Sequence, residues 1–61
     1  METITHRDGT EYKIERRGTG RWYDTYFVYA NNRRFRVFAN NPTEAMNKAR
    51  TEYARQLQAT L

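Results

Sequence analysis

The stretch RWYDTYFVYANNRRFRVFA (residues 21–39) decides the fold of this chain. Two segments within it, residues 22–30 and 34–39, alternate between the two faces of an extended chain and are rich in Tyr, Phe and Val, which is typical of β-strands. Asn31 and Asn32 lie between them. Asparagine tolerates the positive φ that a two-residue type I′ turn requires at both positions, so the stretch predicts a β-hairpin.

The loop length fixes which side chains share a face of this hairpin. With a two-residue loop, one face carries an apolar set, formed by Tyr26, Val28, Phe35 and Val37. The other face carries three cross-strand pairs, Tyr29 with Arg34, Phe27 with Arg36, and Thr25 with Phe38. A slip of one residue would mix the two sets, so we predict this register with the apolar set in the core.

Upstream, apolar and polar residues alternate weakly over residues 2–6, which predicts a short edge strand. Residues 7–9 follow as a three-residue loop, in which Gly9 can take the left-handed conformation. This loop places Ile4 on the core side, opposite Tyr12.

Residues 11–17 alternate cleanly and predict a further strand, with residues 18–20 (Gly-Thr-Gly) as the next turn. A three-residue loop there places Tyr12 opposite Tyr26 and Ile14 opposite Asp24. Asp24 then lies on the core side, where an ion pair with Arg16 at the rim of the sheet would stabilise it.

Residues 41–44 (Asn-Pro-Thr-Glu) predict the start of a helix. Either Asn41 or Thr43 can cap it, and proline suits the first helical position. An apolar stripe at helical spacing follows, formed by Ala45, Met46, Ala49, Tyr53 and Leu57. The two alanines let the helix approach the sheet closely, and we expect Tyr53 and Leu57 to fill the far end.

Together these patterns predict an α+β fold, an antiparallel three- or four-stranded β-meander packed on one C-terminal helix (β-β-β-α). We expect one domain over residues 1–61, with strands at about 2–6, 11–17, 21–30 and 33–39 and a helix at about 42–58.

Composition narrows the class of protein. The 61 residues contain no Cys, and the net charge is +4, which favours an anionic partner. Residues 1–40 hold eight basic and five acidic groups, whereas residues 41–61 hold three and two, so most of the excess lies on the strands. No segment has the apolar length of a membrane span or signal peptide, so we expect a cytoplasmic protein that does not enter membranes.

The predicted sheet face opposite the helix places arginines among aromatic rings, and three interpretations compete for it. Arginines and rings can contact phosphates, base edges and bases. The same residue types are enriched in protein interfaces, including homodimers. The aliphatic parts of the arginine and lysine side chains can also cover the rings, in which case the face is only solvated. We favour double-stranded DNA, and the predicted nucleic-acid-binding residues are Lys13, Arg17, Arg21, Tyr23, Phe27, Tyr29, Arg34 and Arg36.

Gly20-Arg21-Trp22 at the start of a strand, the basic strand of residues 34–39 and the Thr-Glu-Ala of residues 43–45 carry a family resemblance. Over residues 11–57 the chain resembles the DNA-binding domains of phage integrases (arm-binding domain) and plant AP2 domains. The resemblance implies a sheet in the major groove, with DNA contacts from Lys13, Arg17, Arg21, Arg34 and Arg36, and Trp22 anchoring the sheet to the helix. Glu11 and Glu15 depart from it.

The same strand and Ala-rich helix are also similar to small phage proteins that bind and inhibit host enzymes, which implies a protein-binding modulator with a protein partner instead of DNA.

Catalytic and metal-binding patterns do not stand out. His6 is the single histidine, and the carboxylates Glu11 and Glu15 alternate with Lys13 and Arg17, which favours solvated ion pairs over an acid/base couple. Gly18-Thr19-Gly20 has no Lys and no following helix, as a phosphate-binding loop would need. We therefore expect no enzyme activity, no metal and no cofactor.

Overall fold

A computed structural model describes residues 1–59 as a four-stranded antiparallel sheet backed by one helix. The strands lie side by side in chain order and the helix follows them, with bounds β1 Glu2–Thr5, β2 Glu11–Thr19, β3 Asp24–Ala30, β4 Arg33–Ala39 and α1 Pro42–Ala59. The predicted α+β fold is confirmed, with the N-terminal segment as a fourth strand. Residues 60 and 61 of the predicted domain lie outside the described residues.

The β3–β4 hairpin has the predicted turn and register. Asn31 and Asn32 take φ values of 52° and 62°, as a type I′ turn requires. Val28 lies opposite Phe35, and the other predicted cross-strand pairs also form. The two-residue loop therefore sets the face on which every side chain of both strands lies.

The β1–β2 hairpin also closes as predicted. Gly9 has a φ of 92°, and the His6 N–H donates to the Thr10 carbonyl across the loop at 2.9 Å. Ile4 lies opposite Tyr12. The Asp8 carboxylate accepts the Thr10 N–H at 2.9 Å, and this backbone hydrogen bond lowers the pKa of Asp8 below its ordinary value.

The core lies between the sheet and α1. Its buried residues are the predicted sheet set with three from the helix and one from the end of β4: Tyr12, Ile14, Tyr26, Val28, Phe35, Val37, Ala39, Ala45, Met46 and Ala49. Ala45 and Ala49 are fully buried. Because their side chains are small, the backbone of α1 can pack close to the sheet.

The far end of the core differs from the prediction at Leu57. Tyr53 packs against Phe35 with ring centroids 6.1 Å apart, as expected, whereas Leu57 is 48% exposed. The guanidinium carbon of Arg33 lies 5.2 Å from the Tyr53 ring centroid, and its Nη1 donates to Gln56 Oε1 at 3.0 Å. Arg33 thus covers the end of the core at Tyr53, one helical turn before Leu57.

The helix begins at the predicted cap. Asn41 Oδ1 accepts the Glu44 N–H at 2.8 Å, and the Asn41 carbonyl accepts the Ala45 N–H at 3.0 Å, which identifies Asn41 as the capping residue. Lys48 lies 3.4 Å from Glu44 and donates to the Phe38 carbonyl at 2.6 Å. This last bond ties the helix to the free edge of β4.

The β2–β3 connection is where the sequence prediction is wrong. Ile14 lies opposite Val28, not Asp24, and Tyr26 lies opposite Arg16, not Tyr12. Asp24 lies opposite Thr19. Because a β-bulge falls between Arg16 and Gly18, β2 continues to Thr19, and the loop becomes residues 20–23. The buried set is unchanged, since the new register keeps Tyr12, Ile14 and Tyr26 on the core face.

Asp24 holds this longer loop. Its Oδ1 accepts the Gly20 N–H at 3.4 Å, and its Oδ2 accepts the Tyr26 hydroxyl at 3.5 Å. Arg16 Nη1 lies 3.9 Å from Oδ2, so the predicted rim ion pair is present. The predicted strand 21–30 begins instead at Asp24, and residues 21–23 belong to the loop.

The Tyr26 hydroxyl makes stability sensitive to alkaline pH. Burial raises the pKa of Tyr26 above its ordinary value of 10.0, and the negative charge of Asp24 adds to the shift. The unfolded chain therefore loses this proton first, so the contribution to stability is complete below about pH 10 and declines as the pH rises through the folded-state pKa. We expect Tyr26→Phe to flatten the alkaline decline in urea-unfolding midpoints.

Tyr29→Phe is the matched control, because it removes a hydroxyl from the opposite face of the same strand and leaves Tyr26 in place. It should keep the wild-type decline. Parallel pH profiles for wild type and Tyr26→Phe would contradict the assignment.

Candidate functional site

The side of the sheet that faces away from α1, here called the open face, carries basic and aromatic side chains in cross-strand rows. One row holds Lys13, Tyr29 and Arg34, and the next holds Glu15, Phe27 and Arg36. The predicted binding residues of β2, β3 and β4 are thus neighbours on one surface, because their registers place them directly across from one another.

Phe27 lies at the centre of the open face between two arginines. The guanidinium carbons of Arg17 and Arg34 lie 5.3 Å and 5.2 Å from its ring centroid, and Tyr29 meets it edge-on at 6.5 Å. Each such cation–ring contact contributes about 0.5–1 kcal/mol at an exposed site. A guanidinium group that lies over a ring keeps N–H donors on its edge, and Arg34 is paired with no carboxylate among residues 1–59, so its donors are available to a ligand.

The bulge in β2 determines where Arg17 lies. Arg16 pairs with Tyr26 and Gly18 pairs with Thr25, so Arg17 is the additional residue without a cross-strand partner. A bulge re-aims the side chain of its extra residue. Here that side chain reaches Phe27, and its Nη1 donates to Glu15 at 3.3 Å.

A second aromatic pair extends the open face toward the loop of residues 20–23. Tyr23 and Phe38 pack with centroids 5.1 Å apart and are 50% and 43% exposed. Arg36 lies over Phe38 at 5.9 Å. Phe38 is absent from the predicted site, although the alternation that places Arg34 and Arg36 on this face places Phe38 there too.

The charges on the open face are asymmetric. Both of its strand carboxylates, Glu11 and Glu15, lie on β2, and Glu15 is paired with Arg17. Within residues 1–59 no ion pair joins Lys13, Arg34 or Arg36 to a carboxylate. The uncompensated positive charge therefore lies mainly along β4.

The loop of residues 20–23 contradicts the predicted role of Trp22. The prediction makes Trp22 an anchor between sheet and helix, but its side chain is 76% exposed. The bulge and the Asp24 hydrogen bond lengthen the loop, so Trp22 never enters β3. Arg21, predicted as a binding residue of this strand, also lies in the loop and not in β3, with its guanidinium carbon 5.4 Å from the Trp22 ring centroid.

Concave features on this face are shallow. A depression of about 460 Å³ lies at the β3–β4 turn, with Lys13, Tyr29 and Arg34 among its lining residues. In the described part of the chain, no group of three or more His, Cys, Asp or Glu side chains could hold a metal ion. Within those same residues, no helix combines the length and the apolar character needed to cross a membrane.

The arrangement offers stacked guanidinium groups and aromatic rings over an extended surface, which suits contact with a large anionic or aromatic partner. Compared with known proteins, the chain matches no protein-family model, no curated protein and no solved structure.

Proposed function

We propose that the open face binds double-stranded DNA, with Arg34 and Arg36 making the main contacts and Lys13 and Arg17 supporting them. The observation that carries this proposal is the stacking of Arg17, Arg34 and Arg36 on Phe27 and Phe38. Stacking restricts each arginine before binding, so less side-chain entropy is lost when its donors meet a phosphate or a guanine edge.

The dimensions of the sheet support this proposal. Neighbouring strands lie about 4.8 Å apart, so the backbones of β2 and β4 are separated by about 10 Å. The major groove of B-DNA is about 12 Å wide and admits a two-stranded ribbon. We therefore propose that β3 and β4 enter the groove while β2 contacts its margin.

The charge asymmetry supports the same orientation. A phosphate near β2 would meet Glu11 and Glu15, whereas one near β4 would meet Arg34 and Arg36. Like charges at close range disfavour the first arrangement. We propose a DNA-binding role without catalysis, in the cytoplasm as the sequence predicts.

Arg34→Ala and Arg36→Ala are expected to weaken duplex binding and its dependence on salt. Removing one phosphate contact should lower the slope of log affinity against log salt by about 0.9. The measurement is fluorescence anisotropy of a labelled mixed-sequence duplex at several salt concentrations, for wild type and each variant.

Arg55→Ala is the charge-matched control, because Arg55 is exposed on the helix, away from the open face. It removes the same net charge and should leave the salt slope nearly unchanged. Wild-type binding by both open-face variants, or equal weakening in Arg55→Ala, would rule out the open face as the DNA surface.

The exposed Tyr23–Phe38 pair favours a second candidate function, in which the open face binds a host protein or a second copy of the chain. Tyrosine, phenylalanine and arginine are also common at the centres of protein interfaces. Sedimentation of wild type and Phe38→Ala distinguishes self-association from a monomer. Partner capture that Phe38→Ala abolishes, in a protein that binds no duplex, would favour this function over DNA binding.

A further inference from the structure

Trp22, the single tryptophan of the chain, projects from the loop of residues 20–23 with 76% of its surface exposed. Arg21 covers part of it, with the guanidinium carbon 5.4 Å from the ring centroid. Full burial of a side chain of this size would stabilise the fold by about 2–3 kcal/mol. Because the fold does not bury Trp22, it does not obtain this stabilisation.

The loop that carries Trp22 is held by specific contacts. The Gly20 N–H donates to the Asp24 carboxylate at 3.4 Å, and that carboxylate is itself held by Arg16 and Tyr26. A Cβ added at Gly20 would collide with the Tyr23 carbonyl oxygen, so the tight path of the chain depends on glycine there. Trp22 is thus presented from a defined position.

In the chain, Trp22 directly precedes Tyr23, which belongs to the aromatic pair of the open face. Tyr23, the next residue, packs on Phe38 at 5.1 Å, and Phe38 lies under Arg36 at 5.9 Å. We therefore expect a DNA strand whose phosphates contact Arg36 to reach Tyr23 and then Trp22. The guanidinium of Arg21, which lies over the indole, would add a positive charge next to Trp22.

We propose that Trp22 stacks on an unpaired nucleobase, so that the protein binds a duplex with a single-stranded extension more tightly than a blunt duplex. The inference rests on the proposed DNA binding by the open face and specifies its substrate. Paired bases inside a duplex present only their edges in the grooves, whereas an unpaired base offers a ring face to an aromatic side chain.

The test uses the indole as its own probe. The wild-type protein is titrated with a blunt duplex and with the same duplex carrying a short single-stranded extension, and both Trp22 emission and DNA anisotropy are recorded. We expect the extension to quench Trp22 emission and to raise affinity about tenfold, within the range that base stacking on aromatic side chains produces.

Two variants separate stacking from charge. Trp22→Ala should bind the blunt duplex as wild type does and lose the preference for the extension. Trp22→Phe keeps an aromatic ring, so anisotropy should show that it retains part of the preference. Because Trp22 lies outside the core, both variants should keep the wild-type fold, which circular dichroism checks.

The outcomes distinguish this inference from the proposed function. Equal affinity of wild type for both DNAs, with unchanged Trp22 emission, would overturn the inference and leave duplex binding intact. A preference that persists in Trp22→Ala would overturn it as well. Absence of binding to either DNA would overturn both proposals.

Discussion

Phe35→Ala is expected to remove a large part of the protein's stability, or all of it. Phe35 is 6% exposed, lies opposite Val28 in the sheet and packs against Tyr53 of the helix, so it joins both layers of the core. Removing a buried phenylalanine ring costs about 3–5 kcal/mol. A domain of this length has a total stability of about 3–9 kcal/mol. Urea unfolding followed by circular dichroism should show a large fall in the midpoint or no folded baseline.

Phe27→Ala is the matched control, since Phe27 belongs to the same sheet but to its open face, between Arg17 and Arg34. Its ring is only partly buried, so its removal leaves no enclosed cavity. This variant should unfold cooperatively with a much smaller loss of stability. Equal losses in the two variants would contradict a core confined to the helix side.

Ala49→Leu is expected to destabilise the fold by separating α1 from the sheet. Ala49 has no exposed surface, and the larger side chain has no space to occupy without moving the helix or its neighbours. Overpacking of this kind typically costs about 1–3 kcal/mol. Each kcal/mol lowers the melting temperature of a small domain by about 4–8 °C, which a thermal scan resolves.

Ala54→Leu provides the comparison within the same helix, because Ala54 is exposed and the substitution is chemically identical. It should change the melting temperature little. A fall as large as that of Ala49→Leu would show that the cost arises from the helix itself and not from its contact with the sheet.

The parts of the fold that the sequence predicts are those determined by local chemistry. Asn31 and Asn32 determine the β3–β4 turn, alternation then determines its two faces, and Asn41 determines the start of the helix. These features need only backbone conformation and side-chain period, which a single segment contains.

The β2–β3 connection could not be predicted in the same way. The strongest turn signal, Gly18-Thr19-Gly20, begins two residues before the observed loop of residues 20–23. The hydrogen bond to the Asp24 carboxylate and the bulge at Arg17 accompany this displacement. Both depend on contacts between strands. The buried face was still predicted correctly, because the bulge and the longer loop preserve which residues face the helix.

For the candidate site, alternation predicts which side chains lie on the open face but not which of them contact one another. That Arg17 and Arg34 both stack on Phe27 follows from the bulge and the exact cross-strand register together. The exposure of Trp22 depends on the displaced loop in the same way. Whether the open face binds DNA stays a prediction, which the arginine variants test.

The sequential order of the four strands also bears on how fast the chain folds. Each strand pairs with the strand made just before it, so no pairing has to wait for a distant segment. Loops this short have small closure entropies, and proteins dominated by such near-neighbour contacts fold rapidly. During synthesis the sheet can therefore assemble strand by strand, and the helix, which follows β4 in the chain, completes the core when it docks.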